Sequence, residues 1–329
     1  MPPLLEIKNL MTVFDTVHGR IKAVDGVSLQ INSGETLGIV GESGCGKTML
    51  ALSIMRLVPA SGKIISGEIL FSGNDLLKLP EDEMRGRRGS EISMIFQEPM
   101  TSLNPVFRIG EQIAEAVRLH QKLPAKEAMA LSVELLREVG IADPQKRARD
   151  YPHNLSGGMR QRVMIAMAMS CHPRLLLADE PTTALDVTIQ AQILDLISDL
   201  KQKNDMAVIL ITHDLGVIAQ AAQKVAVMYA GKVVESAAVE TLFATPLHPY
   251  TQGLLESVPA ICMKSLKSGD YLKTIPGSVP SLYDLTPGCR FCDRCVYAID
   301  ECAGKEPPLL EVESGHFVAC RKYGMQENN

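Results

Sequence analysis

The chain has 329 residues, a formal net charge of −5 and a hydrophobic fraction of 46%. That is enough apolar mass for two domains, or for one large domain with an extension. The acidic balance disfavours a general nucleic-acid scaffold, and 4% aromatics with no tryptophan argue against an aromatic-lined sugar or base cleft. No apolar run reaches the ~18 residues of a spanning helix. The start, Met-Pro-Pro-Leu-Leu, lacks the basic-then-apolar order of a secretory signal. These features predict a cytoplasmic chain that reaches a membrane only through a partner.

Residues 4–14 and 21–31 alternate apolar and polar, which predicts two antiparallel strands joined by a turn at His18-Gly19. The apolar run 37–40 predicts a buried strand, and 49–57 predicts a helix. Between them lies Gly41-Glu42-Ser43-Gly44-Cys45-Gly46-Lys47-Thr48, a G-x-x-x-x-G-K-T phosphate loop. Residues 63–71 predict a strand pair punctuated by Gly67 and Gly73, and 92–96 a short strand ending at Gln97. From Glu98 to about Pro152 the pattern is helical, with Ala128, Leu131, Leu135 and Val139 on one face and Gly140 as a stop. Ser156 caps a helix through Ser170. The run 175–178 ends in Asp179-Glu180, and Ile193, Ile197 and Leu200 mark an amphipathic helix. Residues 208–212 predict a strand ending at His213, and 225–229 and 233–235 pair around Gly231-Lys232. Beyond residue 236 or so, recurrent prolines (246, 249, 259, 276, 280, 287) predict a turn-rich appendage. Buried strands alternating with helices give the fold class α/β with a mostly parallel sheet, an antiparallel β subdomain and an inserted helical subdomain.

Three stretches carry chemistry. In the phosphate loop, Gly41, Ser43, Gly44, Cys45 and Gly46 let backbone N–H groups curl around phosphate, Lys47 reaches the β- and γ-phosphates, and Thr48 offers a hydroxyl to Mg²⁺. The buried strand before Asp179-Glu180 delivers two carboxylates, which is costly unless they are used. Asp179 suits Mg²⁺ and Glu180 suits a water aimed at the γ-phosphate. Ser156-Gly157-Gly158 opens a second helix N-terminus to an anion.

The ordered set of phosphate loop, Gln97, Leu-Ser-Gly-Gly-Met at 155–159, Leu-Leu-Leu-Ala-Asp-Glu at 175–180, Ala184-Leu185-Asp186 and His213 resembles ABC-transporter nucleotide-binding subunits over residues 4–235. The resemblance implies that Ser156, Gly157 and Gly158 contact ATP held by an opposite subunit. It implies that Gln97 meets Mg²⁺ and relays to membrane subunits, that Asp186 lies at the dimer interface and that His213 is near the γ-phosphate. Phe14 is expected to stack on adenine, with His18 as the alternative. The tail, with His248-Pro249-Tyr250-Thr251, residues 275–280, Gly288-Cys289 and Arg294-Cys295, resembles subunits of oligopeptide/dipeptide importers. That implies a nucleotide-binding domain over 1–235, with its helical subdomain at about 98–160, and a cysteine-rich extension over 236–329. It also implies a paralogous ATPase subunit in a heterodimer, two permease subunits, a periplasmic peptide-binding protein, and a peripheral place on the cytoplasmic face of the bacterial inner membrane. The same machine serving another solute such as nickel, or a soluble ABC ATPase, are the competing functions.

Of the eight cysteines, Cys45, Cys171 and Cys262 stand alone and five cluster late. Clustered thiols in a reducing compartment point to metal rather than disulfides. The resemblance implies Cys289, Cys295, Cys302 and Cys320 as ligands of a structural [4Fe–4S] cluster or of Zn²⁺. Cys292 adds a competing C-x₂-C-x₂-C run, and His316 is a further candidate for zinc. The basic residues Arg290, Arg294, Lys305, Arg321 and Lys322 are interspersed with acidic ones, so the tail has no nucleic-acid patch.

Overall fold

A computed structural model describes residues 2–98, 102–183, 185–258 and 274–324; Ala184, Pro259 and Cys262 lie outside the described residues. In chain order the strands are β1 (Leu5–Thr16), β2 (Gly19–Ile31), β3 (Thr36–Val40), β4 (Gly62–Phe71), β5 (Asn74–Asp75), β6 (Ile92–Ile95), β7 (Leu175–Asp179), β8 (Ala207–Ile211), β9 (Lys224–Tyr229), β10 (Lys232–Ala238), β11 (Leu310–Glu313) and β12 (His316–Val318). The chain divides into two compact units, one of residues 1–4, 31–35 and 75–211, the other of residues 5–30, 36–74 and 212–329.

The second of these units holds the phosphate loop. Its antiparallel layer runs β2-β1-β4, with β5 at the edge. Leu5, Ile7, Leu10 and Val13 of β1 are buried, so alternation fixes which face meets the core. The β1–β4 register shifts between Lys8 and Thr12, where Asn9 has a left-handed backbone (φ 47°). Opposite the shift stands Gly67, where a Cβ would lie 2.6 Å from Leu10 Cα. Gly67 therefore does not divide two strands, as its sequence context suggests; it lets a single β4 pass a bulge.

In the same unit β3 pairs parallel with β9, and β9 and β10 form a hairpin. Ala230 and Gly231 at its tip both have positive φ (45° and 89°), the backbone of a type I′ turn. The tail returns to this sheet: β12 pairs antiparallel with β10, Glu235 opposite Val318, and β11 pairs with β12.

The other unit is built on β6, β7 and β8, paired parallel in that order. Each of these strands is buried along its length, as a sheet covered on both faces requires. The helix Ala125–Glu138 buries Ala128, Ser132, Leu135 and Leu136 and stops at Gly140, whose φ is 75°. Among the described residues no helix is long and apolar enough to cross a membrane.

Candidate functional site

The phosphate loop leaves β3, buried throughout, and enters the helix Lys47–Ile54. Two glycines are sterically required. A Cβ on Gly41 would stand 2.2 Å from the Met228 carbonyl oxygen, and one on Gly46 (φ 103°) 2.2 Å from that of Ala23. Gly46 is also the helix N-cap, so no side chain covers the first-turn N–H groups. Lys47 is only 5% exposed, and its ammonium donates to the carbonyls of Gly41 (2.8 Å) and Glu42 (3.1 Å). A phosphate oxygen is a stronger acceptor for it than either carbonyl. Burial pushes the Cys45 thiol up, keeping it a neutral packing group beside Lys47. Ser43 and Gly44 are exposed and Thr48 is half-buried.

Phe14 is half-buried, its ring laid over Gly62. His18 is exposed and meets Tyr283 edge-on at 6.0 Å. His213 is exposed just ahead of the helix Leu215–Ala221, which Asp214 caps by accepting from the N–H groups of Gly216 (2.7 Å) and Val217 (3.3 Å).

In the other unit, Asp179 ends β7 with 1% exposure. Glu180 follows in a left-handed conformation (φ 46°), costing on the order of 1–2 kcal/mol for a residue with a Cβ. Its carboxylate accepts from Gln97 Nε2 (3.0 Å) and Thr183 Oγ1 (2.8 Å). The structure thus joins Gln97 to Glu180 across 83 residues of sequence, and adds Thr183, which sequence reasoning missed. Ser156 caps the helix Gly157–Met169, its hydroxyl accepting from Met159 N–H at 3.3 Å. Asp186 likewise caps Val187–Asn204, accepting from Ile189 N–H at 2.9 Å. A Cβ on Gly158 would come within 3.0 Å of the Ile189 side chain, so these two helix starts are packed together. Ser156, Gly157 and Asp186 are all exposed, and beside them Val187 is 82% exposed.

All five late cysteines are free thiols, and they line one cavity of about 230 Å³ with His248, Phe291 and Tyr297. Burial pushes the Cys289 thiol up to about 11, and the neighbouring Cys292, Cys302 and Cys320 add to the rise. Cys295 and Cys320 are raised by burial as well. Cys292 differs: its thiol is bonded to Asp293 Oδ1 at 3.3 Å. Among the described residues no three His, Cys, Asp or Glu side chains stand close enough to hold a metal ion. His316 is no ligand beside Cys320. It is buried, and its Nε2 is 2.8 Å from the carboxylate of Glu235 on β10. Arg294, conspicuous in sequence only as the neighbour of Cys295, forms a two-pronged ion pair with Glu42 of the phosphate loop.

Comparison with known proteins places this geometry. Residues 24–183 match the ABC transporter family, and residues 234–302 match the oligopeptide/dipeptide transporter C-terminal region. The oligopeptide transport ATP-binding protein AppD of Bacillus subtilis is 54% identical over 324 residues, 98% of each chain. The dipeptide transport ATP-binding protein DppD of the same organism is 50% identical over 321 residues, 97% of this chain and 95% of its own. Among solved structures, the dimeric post-hydrolysis state of the ATP-binding cassette MJ0796 bound to ADP and Pi matches with a TM-score of 0.65 at 27% identity, covering 71% of this chain and 98% of that one.

Proposed function

The chain belongs to the family of ATP-binding subunits of peptide ABC transporters, and from that premise we propose how its residues divide the work. It is an ABC-type ATPase, using ATP and Mg²⁺, that powers peptide import as part of an ATPase dimer on membrane permease subunits. The observation that carries the reading is the open start of the helix Lys47–Ile54, with the buried Lys47 ammonium lying across its own loop.

In the proposed division, the N–H groups of 41–48 and the Lys47 ammonium bind the triphosphate. Thr48, Gln97 and Asp179 would hold Mg²⁺, which when bound neutralises charge developing on the phosphates. All three can supply hard oxygen donors, and Gln97 commits its Nε2 to Glu180, leaving Oε1 for a cation. Glu180 takes the proton of the attacking water. The water oxygen bonds to the γ-phosphorus as the bond to the β–γ bridging oxygen breaks, and ADP leaves. His213 orients the γ-phosphate. Phe14 remains our choice for adenine, although its ring is partly engaged on Gly62. Ser156, Gly157 and Gly158 complete the ATP site of the other ATPase subunit, with Asp186 at that interface. Their shared exposure with Val187 supports this.

We further propose that the second ATPase is a paralogue, that a periplasmic binding protein delivers the peptide, and that the chain works on the cytoplasmic face of the inner membrane. Residues 1–235 carry the ATPase, with 98–160 as the helical arm toward the permease and 236–329 as the extension. Glu180→Gln tests the core of the assignment: it should retain ATP and trap the closed dimer, whereas Lys47→Ala should lose nucleotide. Rapid turnover by Glu180→Gln would show that the base lies elsewhere.

For the tail we propose a structural [4Fe–4S] cluster on Cys289, Cys295, Cys302 and Cys320, with Cys292 spare. The support is a cavity lined by the thiols together with the separate engagement of Cys292 by Asp293. Tetrahedral zinc needs four donors within about 2.3 Å of one point, whereas a cluster binds thiolates around a larger body. A cluster would also replace the core that so small a segment lacks. Anaerobic purification with iron, sulfide and zinc analysis decides it; zinc with no brown chromophore would overturn the cluster.

A further inference from the structure

A phosphate-binding loop should favour anions, yet this one carries Glu42 at its second position. The structure shows what balances it. Arg294 lies on the short turn Cys292–Arg294, directly before Cys295. Its Nη1 donates to Glu42 Oε2 at 2.7 Å and its Nη2 to Oε1 at 3.1 Å, a fork that lysine cannot reproduce. Two more donors are engaged: Nε donates to the Pro276 carbonyl (2.8 Å), and Nη1 also reaches the Tyr229 hydroxyl (3.3 Å). Arg294 is 7% exposed and the Glu42 side chain 30%, so the pair is half-buried rather than fully solvated.

Glu42 is held from its main chain as well. Its N–H donates to the Tyr250 hydroxyl (2.9 Å), and its carbonyl accepts from the Lys47 ammonium (3.1 Å). The same residue therefore meets the loop lysine through its backbone and Arg294 through its side chain. A matching strut stands on the other flank. Arg290, directly after Cys289, pairs with Asp25 and donates to the Ala230 carbonyl. The next residue, Gly231, donates to the Cys45 carbonyl in the loop at 2.8 Å.

We propose that Arg294 is a positioning residue of the ATPase: by clamping and neutralising Glu42 it holds the phosphate loop open to an anion. Without the clamp, the Glu42 carboxylate is left in the loop, where it repels the triphosphate and competes for Lys47. The clamp is carried by the cysteine-rich segment, which gives that segment a part in ATP binding beyond its own stability. The Arg294 and Glu42 variants leave every thiol in place, so the clamp is tested with the metal content held constant.

The test measures fluorescent-ATP affinity of the full chain, together with KM and kcat of the assembled transporter, for Arg294→Gln, Arg294→Lys, Glu42→Gln and the double variant Arg294→Gln/Glu42→Gln. Arg294→Gln should raise KM about tenfold with kcat changed less than about twofold, and Arg294→Lys should fall between it and the parent. Removing the stranded charge should rescue: the double variant should bind ATP more tightly than Arg294→Gln, within about threefold of the parent. A double variant no better than Arg294→Gln overturns the proposal, as does an Arg294→Gln protein with unchanged KM. Should Arg294→Gln fail to fold, Arg294→Lys alone against Arg294→Lys/Glu42→Gln decides by the same comparison.

Discussion

Gly46→Ala should disable the phosphate loop for a reason that can be worked through atom by atom. The added Cβ would stand 2.2 Å from the Ala23 carbonyl oxygen, in backbone rather than in a flexible side chain. Ordinary contact needs about 3.4 Å or more, so the loop or the strand must move by roughly 1 Å. Ala23 is buried within the thirteen-residue strand β2, so the short loop is the part that gives. The backbone at Gly46, φ 103°, adds strain of on the order of 1–3 kcal/mol. A loop displaced by that distance loses one or two charge-assisted bonds to phosphate at about 1.5–3 kcal/mol each, or roughly 10-fold to 10⁴-fold in ATP affinity. Gly44→Ala is the control. Gly44 also has positive φ (79°), but nothing lies within 4 Å of its Cβ position. It should show the strain alone, about 1–2 kcal/mol. Fluorescent-ATP titration with thermal unfolding of both variants reads the two effects. Gly46→Ala binding ATP within threefold of the parent, or Gly44→Ala losing as much as Gly46→Ala, would refute the steric argument.

Three further outcomes are expected. Thr183→Val removes a side-chain donor to Glu180 and should lower kcat about threefold to tenfold with KM unchanged, given its exposed setting; steady-state ATPase kinetics check it, and an unchanged kcat would remove Thr183 from the site. Ser156→Ala should leave ATP binding by the full chain intact but abolish nucleotide-driven dimerisation, read by light scattering; weaker binding by the chain alone would mean that Ser156 serves its own ATP. Asp25 gives a pH prediction. Burial alone would raise its carboxyl, but Lys232, Arg290 and Lys22 outweigh that and hold it below the usual carboxylate range. A depressed folded-state pKa contributes stability that is present above about pH 3.9 and lost as pH falls through the folded value, at up to about 1.4 kcal/mol per pH unit. Asp25→Asn should flatten the acid limb of the stability curve below about pH 4; an unchanged limb in acid denaturation would refute the assignment.

What was legible in the sequence was what is encoded locally. The phosphate loop, the Ser156 cap and the Asp179-Glu180 strand end are each set by fewer than ten consecutive residues, whose conformations follow from glycine, capping and burial. What was illegible depends on pairs far apart in the chain. β11 does alternate, Leu-Glu-Val-Glu, but over only four exposed residues, and β12 has three, so neither run is long enough to announce a strand; they form because β10 offers an edge to β12, and β12 to β11. Gly67 reads as punctuation until Leu10 and Asn9 are seen pressed against it. His316 reads as a metal ligand because Cys320 is close in sequence, yet Glu235, 81 residues away, is what it meets.

The same distinction bears on how this ATPase differs from a bare cassette. The solved cassette that it resembles covers 71% of the chain, and the part that matches the ABC transporter family, residues 24–183, contains the locally encoded motifs. The remainder supplies Tyr250, Arg290 and Arg294, which reach back 208, 265 and 252 residues to Glu42, Asp25 and Glu42 again. Removing the tail would strip Glu42 of its guanidinium partner and its N–H of the Tyr250 hydroxyl, and would leave Asp25 with Lys22 and Lys232 alone. Deleting the tail should therefore weaken ATP binding even though every residue that touches nucleotide is retained. On the proposed reading the nucleotide site of this chain would be completed twice: by the helix start of a second subunit, and by the extension of its own chain.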